Sequence, residues 1–265
     1  MPILTLWSAL FVLGYFFLGF VVAQVKKDNS LVDTLWGLGF VLLAAFLLII
    51  TEEVHPAAYL ISGLTAIWGL RLFLYIGIRN FKQPEDYRYQ NMRRTWQTKP
   101  GPLWLQALIK VFLTQAIFQY IIALPIMFIH AYPLDTIPTL GLVGIIVGLG
   151  AWVVGFVFEA VGDAQLKRFK ARPENKGKIM DEGLWQYTRH PNYFGEAAMW
   201  WGVAIIAVTN TAAIGLIALI SPLVMTWLLR YVSGVPLLEE KLKEKPGFEA
   251  YAARTSVFIP WPPKK

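Results

Sequence analysis

Seven long apolar runs constrain this chain more than any other feature. They lie at residues 2–25, 31–50, 56–78, 103–130, 139–162, 192–208 and 211–232. A bilayer core about 30 Å thick needs roughly 20 apolar residues of helix to cross it. Lipid offers no partner for backbone N–H and C=O groups, so the runs are expected to be helices. The sixth is short, and only Thr209-Asn210-Thr211 separates it from the seventh, so those two are expected to form a helical hairpin. The whole of 1–265 then reads as a single all-α, polytopic integral membrane domain, with 233–265 as a tail.

The placement of basic residues tests this count. All 24 Lys and Arg except Arg71 and Lys110 fall in the links after runs one, three and five or from Arg230 onward. The links after runs two, four and six have none. Positive residues mark cytoplasmic links, which places the N-terminus outside and the C-terminus in the cytoplasm. One missed run would destroy this alternation. The mean hydropathy of +0.51 and the low share of charged residues, 15%, agree with lipid as the solvent. Lys26 and Lys27 follow the first run instead of preceding it, so it is expected to be a retained span and not a signal peptide.

The absence of cysteine excludes disulfides, thiolate metal sites and a Cys nucleophile. The three histidines, His55, His130 and His190, are too scattered for a metal site. Gly141, Gly144 and Gly148 share one side of the fifth run and predict close helix packing. No G-x-G-x-x-G accompanies them. Basic residues such as Arg93, Arg94, Lys264 and Lys265 suit anionic headgroups. No nucleic-acid partner is expected.

Charges inside the apolar runs are costly and normally face a cavity or each other. Here they gather at one depth. Asp33 opens the second run, and Arg71 and Lys110 lie about eight residues from the cytoplasmic end of theirs. Glu159 and Asp163 close the fifth run; Asn192 and Glu196 open the sixth. Glu159, Asp163 and Lys167 are spaced i, i+4, i+8, one face of a helix, as are Arg71, Tyr75 and Arg79. Pro191 suits the first helical turn, where a missing N–H costs nothing. The free N–H groups of that turn suit an anion. The plainer reading is snorkelling to headgroups with structural ion pairs. The alternative is a pocket for a phosphate-bearing ligand and an apolar substrate.

Four motifs give that pocket a context. Trp185-Gln-Tyr-Thr-Arg-His-Pro-Asn-Tyr-Phe-Gly-Glu196 resembles the C-terminal signature of the steroid 5α-reductase family, and Glu249-Ala-Tyr-Ala-Ala-Arg-Thr-Ser-Val-Phe-Ile-Pro260 resembles its ending. Ser30-Leu-Val-Asp-Thr-Leu-Trp-Gly37 and Glu85-Asp-Tyr-Arg-Tyr89 are similar to its bacterial branch, long labelled a domain of unknown function. The resemblance implies NADPH-dependent reduction of a carbon–carbon double bond conjugated to a ketone, as in a 3-oxo-Δ4 steroid. Such an enzyme holds two reactants together and polarises the carbonyl oxygen.

Carried over by motif, Asn192 and Glu196 would hold the nicotinamide end of NADPH. Glu159 stands where the family usually has Asn, and Asp163 matches its Asp. Lys167 and Lys170 would bind phosphate. Arg230 matches a cofactor-binding Arg, with Tyr187, Arg189 and Arg79 as further cofactor candidates. The mammalian Glu on the second span has no counterpart here, so Asp33 with Tyr87 or Tyr75 is expected to polarise the carbonyl. Asp33 serves equally well as a helix N-terminal acid. Trp36 and Arg71 are expected on the substrate side, although each Trp alone reads as packing or interfacial belt.

Two other classes stay open. Arg-His-Pro-x-Tyr-x-Gly also occurs in membrane methyltransferases that use S-adenosylmethionine. A lipid-binding or transport protein is the third reading, although no inverted repeat is visible. The expected partners are a lipid-soluble enone and the bilayer; the expected site faces the cytoplasm from a bacterial inner membrane. The sequence leaves the oligomeric state and the natural substrate open.

Overall fold

The computed structural model describes residues 2–264; Met1 and Lys265 lie outside the described residues, and with them the Lys265 expected at a headgroup. The described chain is helical, without strands. Six stretches are long and apolar enough to cross a membrane: Ile3–Lys26, Leu31–Ile50, Pro56–Asn80, Leu103–Ile122, Thr139–Ala171 and Ala213–Leu242. The remaining expected run is also a helix, Pro191–Thr209, 19 residues long. It is not among the six, because Asn192, Glu196, Trp200 and Trp201 dilute its apolar residues.

Two compact units are distinguishable within the chain: Met1–Ile137 with Asn210–Ala218, and Pro138–Thr209 with Leu219–Lys265. The first holds α1 (Pro2–Lys26), α2 (Leu31–Ile50), α3 (Pro56–Asn80), α4 (Tyr87–Gln97), α5 (Leu103–Ala107), α6 (Thr114–Ile122) and α7 (Leu124–Ala131). A π-helical turn, Leu108–Leu113, joins α5 to α6. The expected run 103–130 is thus helical nearly throughout, and Pro125 marks its break at α7. Phe16, Phe40, Leu43, Leu47, Ile61, Phe112 and Ile126 are fully buried between these helices. Gly37 and Gly69 let α2 and α3 touch: a Cβ on Gly37 would lie 2.6 Å from the Gly69 carbonyl oxygen. Leu6, Leu10, Leu13 and Phe17 of α1 are exposed, as lipid-facing residues are. At the far end, the Leu134 N–H donates to the Asn210 carbonyl at 3.0 Å and the Ala212 N–H to that of Tyr132 at 3.1 Å.

The second unit is built on α8 (Thr139–Ala171) and α9 (Pro191–Thr209). The expected glycine packing is present and longer than expected. A Cβ on Gly148 would lie 2.5 Å from the Gly202 carbonyl oxygen, and one on Gly155 2.5 Å from that of Gly195. Gly144 faces Thr209, and Gly162 faces Pro191. Backbone therefore meets backbone at the two central crossings, Gly148–Gly202 and Gly155–Gly195, where no side chain separates the helices. The last run starts as a 3-10 helix, Ala213–Leu219, in the first unit. It continues in the second as α10 (Ile220–Trp227), a π-helical turn at Leu228–Val232, α11 (Val235–Leu242) and α12 (Phe248–Arg254).

Candidate functional site

In the second unit, the glycine seam brings the motif residues of α8 and α9 together at the end where basic residues cluster. Glu159 and Asp163 are buried there, at 3% and 5% exposure. The Asn192 side-chain amide donates to Asp163 Oδ1 at 3.1 Å. Its own Oδ1 accepts from the Tyr193 N–H at 3.1 Å, holding the amide in one orientation. A Cβ on Gly195 would press on Glu159, so the Pro191–Glu196 turn and the acids of α8 are neighbours by necessity. Glu196 is half-buried on the same turn. Lys167 and Lys170 continue along α8 as exposed side chains. Arg230 lies in the π-helical turn, with its guanidinium 4.7 Å from the Tyr231 ring centroid.

The loop before α9 is fixed from three sides. The Trp185 indole donates to the Gly162 carbonyl at 3.1 Å, and the Leu184 N–H to Gln165 Oε1 at 3.0 Å. The Tyr251 hydroxyl donates to the Trp185 carbonyl at 2.6 Å. Arg189 carries most of the connection to the tail. It grips Glu239 through Nε at 2.7 Å and Nη2 at 3.2 Å, and its Nη1 donates to the carbonyls of Ala252 and Thr255. His190 Nε2 lies 3.1 Å from the same carboxylate. Burial lowers the His190 pKa, outweighing the pull of Glu239, and the charges of Arg189 and Arg230 act in the same direction as burial. Expected to hold cofactor, Arg189 spends most of its N–H groups inside the protein. The geometry makes it a positioning residue for the Tyr187–Glu196 segment. Tyr187 itself is 40% exposed.

On the opposite face of α8, Gln165, Arg168, Phe169, Arg172, Met180, Glu182 and Gly183 line a cleft of about 290 Å³. It does not include the four motif residues.

In the first unit, two motifs that lie 48 or more residues apart in sequence meet. Asp33 in the first turn of α2 accepts from Arg88 Nη2 at 2.6 Å through one oxygen and from the Tyr89 hydroxyl at 2.6 Å through the other. Beside it, Glu85 accepts from the Asn29 N–H at 2.8 Å and from Arg93 Nη2 at 2.7 Å. Asp86 caps α4 by accepting from the Arg88 N–H at 2.9 Å. Burial opposes ionisation of Asp86, yet the hydrogen bonds and charge of Arg88 hold its pKa below the usual range. Burial, then the Asp33 charge, pushes the Tyr89 phenol well above its ordinary value. Both Asp33 oxygens thus act as acceptors. This geometry suits the helix-anchoring role better than that of a protonated donor to substrate. Arg93, expected at a headgroup, is half-buried and engaged by Glu85.

Tyr87, the neighbouring candidate, is 40% exposed. Residues two apart at the start of a helix point about 200° apart, so Tyr89 faces Asp33 where Tyr87 was expected. Tyr75 is half-buried, with the Arg71 guanidinium 5.6 Å from its ring centroid. Trp36 packs edge-on against Phe40, which packs against Trp68, so all three form an α2–α3 aromatic ladder. Arg79 is exposed and donates to Asn80 Oδ1. Lys110 is exposed within its π-helical turn, as snorkelling requires.

Sequence reasoning missed Glu239, Tyr89 and Glu85. Tyr89 and Glu85 stand in a quoted motif, where the i, i+2 separation of the tyrosines was the available signal. Glu239 carries none, being 50 residues from Arg189 and in no motif.

A family model described as a protein of unknown function, DUF1295, matches residues 19–255. No curated protein and no solved structure matches the chain. The match spans both units and all four motifs up to Thr255, and the protein belongs to this family, which is related to steroid 5α-reductase-like membrane proteins.

Proposed function

We propose that this protein is a membrane oxidoreductase that uses NADPH to reduce the double bond of an apolar enone, with its basic links and cofactor entrance on the cytoplasmic side of a bacterial inner membrane. The reading keeps seven spans, with α9 crossing in the shelter of α8 and both polar ends of that pair at one depth. One observation carries it: Asn192 and Asp163, the motif residues of α9 and α8, are hydrogen-bonded beside the buried Glu159.

The donor set fits the cofactor. A carboxamide offers two N–H donors and one carbonyl, which buried carboxylates and a fixed side-chain amide can match. Glu159, Asp163, Asn192 and Glu196 take that end, and the exposed ammonium groups of Lys167 and Lys170 take phosphate. Arg230 is assigned to the same ligand. When bound, NADPH supplies the hydride that reaches the β-carbon of the enone. Tyr75, with Arg71 over its ring, is the assigned carbonyl-polarising phenol of the first unit, replacing Asp33 and Tyr87 in that role. Arg71 and the aromatic ladder from Trp36 are assigned to the substrate side. Arg189 positions the α9 turn through Glu239.

The test is NADPH oxidation by purified protein with a Δ4-3-ketosteroid, in wild type, Asn192→Ala and Glu196→Ala. Loss of one charge-assisted hydrogen bond predicts a fall of roughly tenfold or more in kcat/KM for each variant. Equal rates in all three remove these residues from the site. No NADPH binding, together with saturable binding of S-adenosylmethionine, replaces the reading by the methyltransferase one.

A further inference from the structure

The segment from Ser256 to Lys264 is non-helical and bends at Val257–Ile259, and the loop that leads into α9 pins it. The Arg189 N–H donates to the Ser256 carbonyl at 2.9 Å, the Thr188 hydroxyl to that of Phe258 at 2.9 Å, and the Trp261 N–H to that of Tyr187 at 2.9 Å. Further on, the Lys264 N–H donates to the Arg254 carbonyl at 2.9 Å. Phe258 turns inward, 8% exposed, and packs edge-on against Phe194. The residues after it turn outward. Ile259 is 66% exposed and Trp261 68%, with Tyr187 beside them. Large apolar side chains grouped on a fixed backbone mark an apolar or interfacial partner.

The height of this strap identifies the partner. Its loop is tied to α8 at Gly162 and Gln165. Up to that turn α8 exposes Val153, Val154, Val157 and Val161; beyond it, α8 exposes Lys167, Arg168 and Lys170. The strap is therefore level with the change from lipid-facing to water-facing side chains. Trp and Tyr concentrate at that level, each with an apolar ring and a polar edge. Pro260, Pro262 and Pro263 have no N–H, and the backbone N–H of Trp261 is already bonded, so these four residues bring no unsatisfied backbone donor to a partly dehydrated layer. Exposed Lys264 follows at the position where a headgroup phosphate would receive it.

We infer that residues 256–264 form an interfacial strap, whose Ile259 and Trp261 enter the boundary between headgroups and acyl chains. Its occupant is the bilayer in which the protein sits. Because the strap bonds to Tyr187, Thr188 and Arg189, it couples the setting of the α9 turn to the surrounding lipid. This holds whatever reaction the protein performs.

The chain has no cysteine, so a single introduced thiol reports one place. Ile259→Cys, Trp261→Cys and, on an exposed basic loop, Lys176→Cys are each labelled with an environment-sensitive fluorophore and reconstituted into vesicles containing anionic phospholipid. The strap probes are expected to emit to the blue of the Lys176 probe. Lipid carrying a nitroxide near the headgroup should quench them more than aqueous iodide does, with the order reversed at Lys176. Strap probes that match the Lys176 probe in colour and quenching overturn the inference. Where Trp261→Cys does not fold, Ile259→Cys decides with the indole retained. Where neither folds, brominated lipid quenching of intrinsic fluorescence is compared between wild type and Trp261→Phe: a smaller quenched fraction in the variant supports the strap, and an unchanged fraction refutes it.

Discussion

Arg189–Glu239 in the second unit and Arg88–Asp33 in the first are built from the same chemical groups, and both tie an α-helix end to a later segment. They differ in their exposure to water. The Arg189 and Glu239 side chains are 8% and 14% exposed; those of Arg88 and Asp33 are 35% and 16%. An ion pair removed from water costs desolvation and cannot be screened, so losing one partner strands a charge. A half-wet pair exchanges protein for water at little cost. The first arrangement demands that the chain be assembled one way; the second tolerates adjustment.

Three measurements press on this contrast. Arg189→Met should destabilise the protein most, by about 3–5 kcal/mol, because Glu239 and His190 keep their places without the guanidinium. Thermal unfolding in detergent checks it, and the double variant with Glu239→Gln should recover part of the loss. A cost for Arg189→Met no larger than that of Asp33→Asn would erase the distinction. Asp33→Asn itself should cost about 1 kcal/mol or less, and the difference from wild type should shrink between 0.1 M and 1 M salt, where the Debye length falls from about 10 Å to 3 Å. A salt-independent difference would mean that the pair is drier than its exposure implies.

The smallest effect is a pH slope. Burial lowers the His190 pKa in the folded protein. As pH falls below the unfolded value of about 6.5, the unfolded chain takes up a proton that the folded chain refuses, so stability declines on acidification until the lowered folded pKa is passed. Replacing His190 by Gln should flatten stability between pH 7 and pH 5. An unchanged slope in the variant would assign the acid sensitivity elsewhere.

The helices were legible because lipid-facing residues announce themselves by hydropathy, and the basic links by charge. The glycine seam was legible in part: the side of α8 was visible in Gly141, Gly144 and Gly148, but Gly195 and Gly202 acquire meaning only opposite Gly155 and Gly148. Helix α9 is the one expected run that is not apolar enough to count as a span by itself, for a physical reason. A helix sheltered by a neighbour has less need of apolar residues, and its polar first turns carry the motif. Helix α4 is not foreseen in the sequence, since its eleven residues are largely polar and its start depends on the Asp86 cap. At the site, periodicity pairs Asn192 with Glu196 and Glu159 with Asp163. The bond between the two pairs depends on how closely two backbones approach, which no local pattern encodes. Arg189 reads as a cofactor candidate from its place in the motif because its partners, Glu239, Ala252 and Thr255, come from distant chain.

Helix α8 is 33 residues long, about 50 Å at 1.5 Å per residue, so roughly 20 Å of it overshoots a 30 Å hydrocarbon layer. The overshoot bears Lys167, Arg168 and Lys170, and Arg172 follows directly after its last residue. Positive charge distributed in this way acts at a distance, before any shape is matched. A polyanion diffusing nearby would feel it before contact, so the gain falls on how often such a visitor arrives and not on how long it stays.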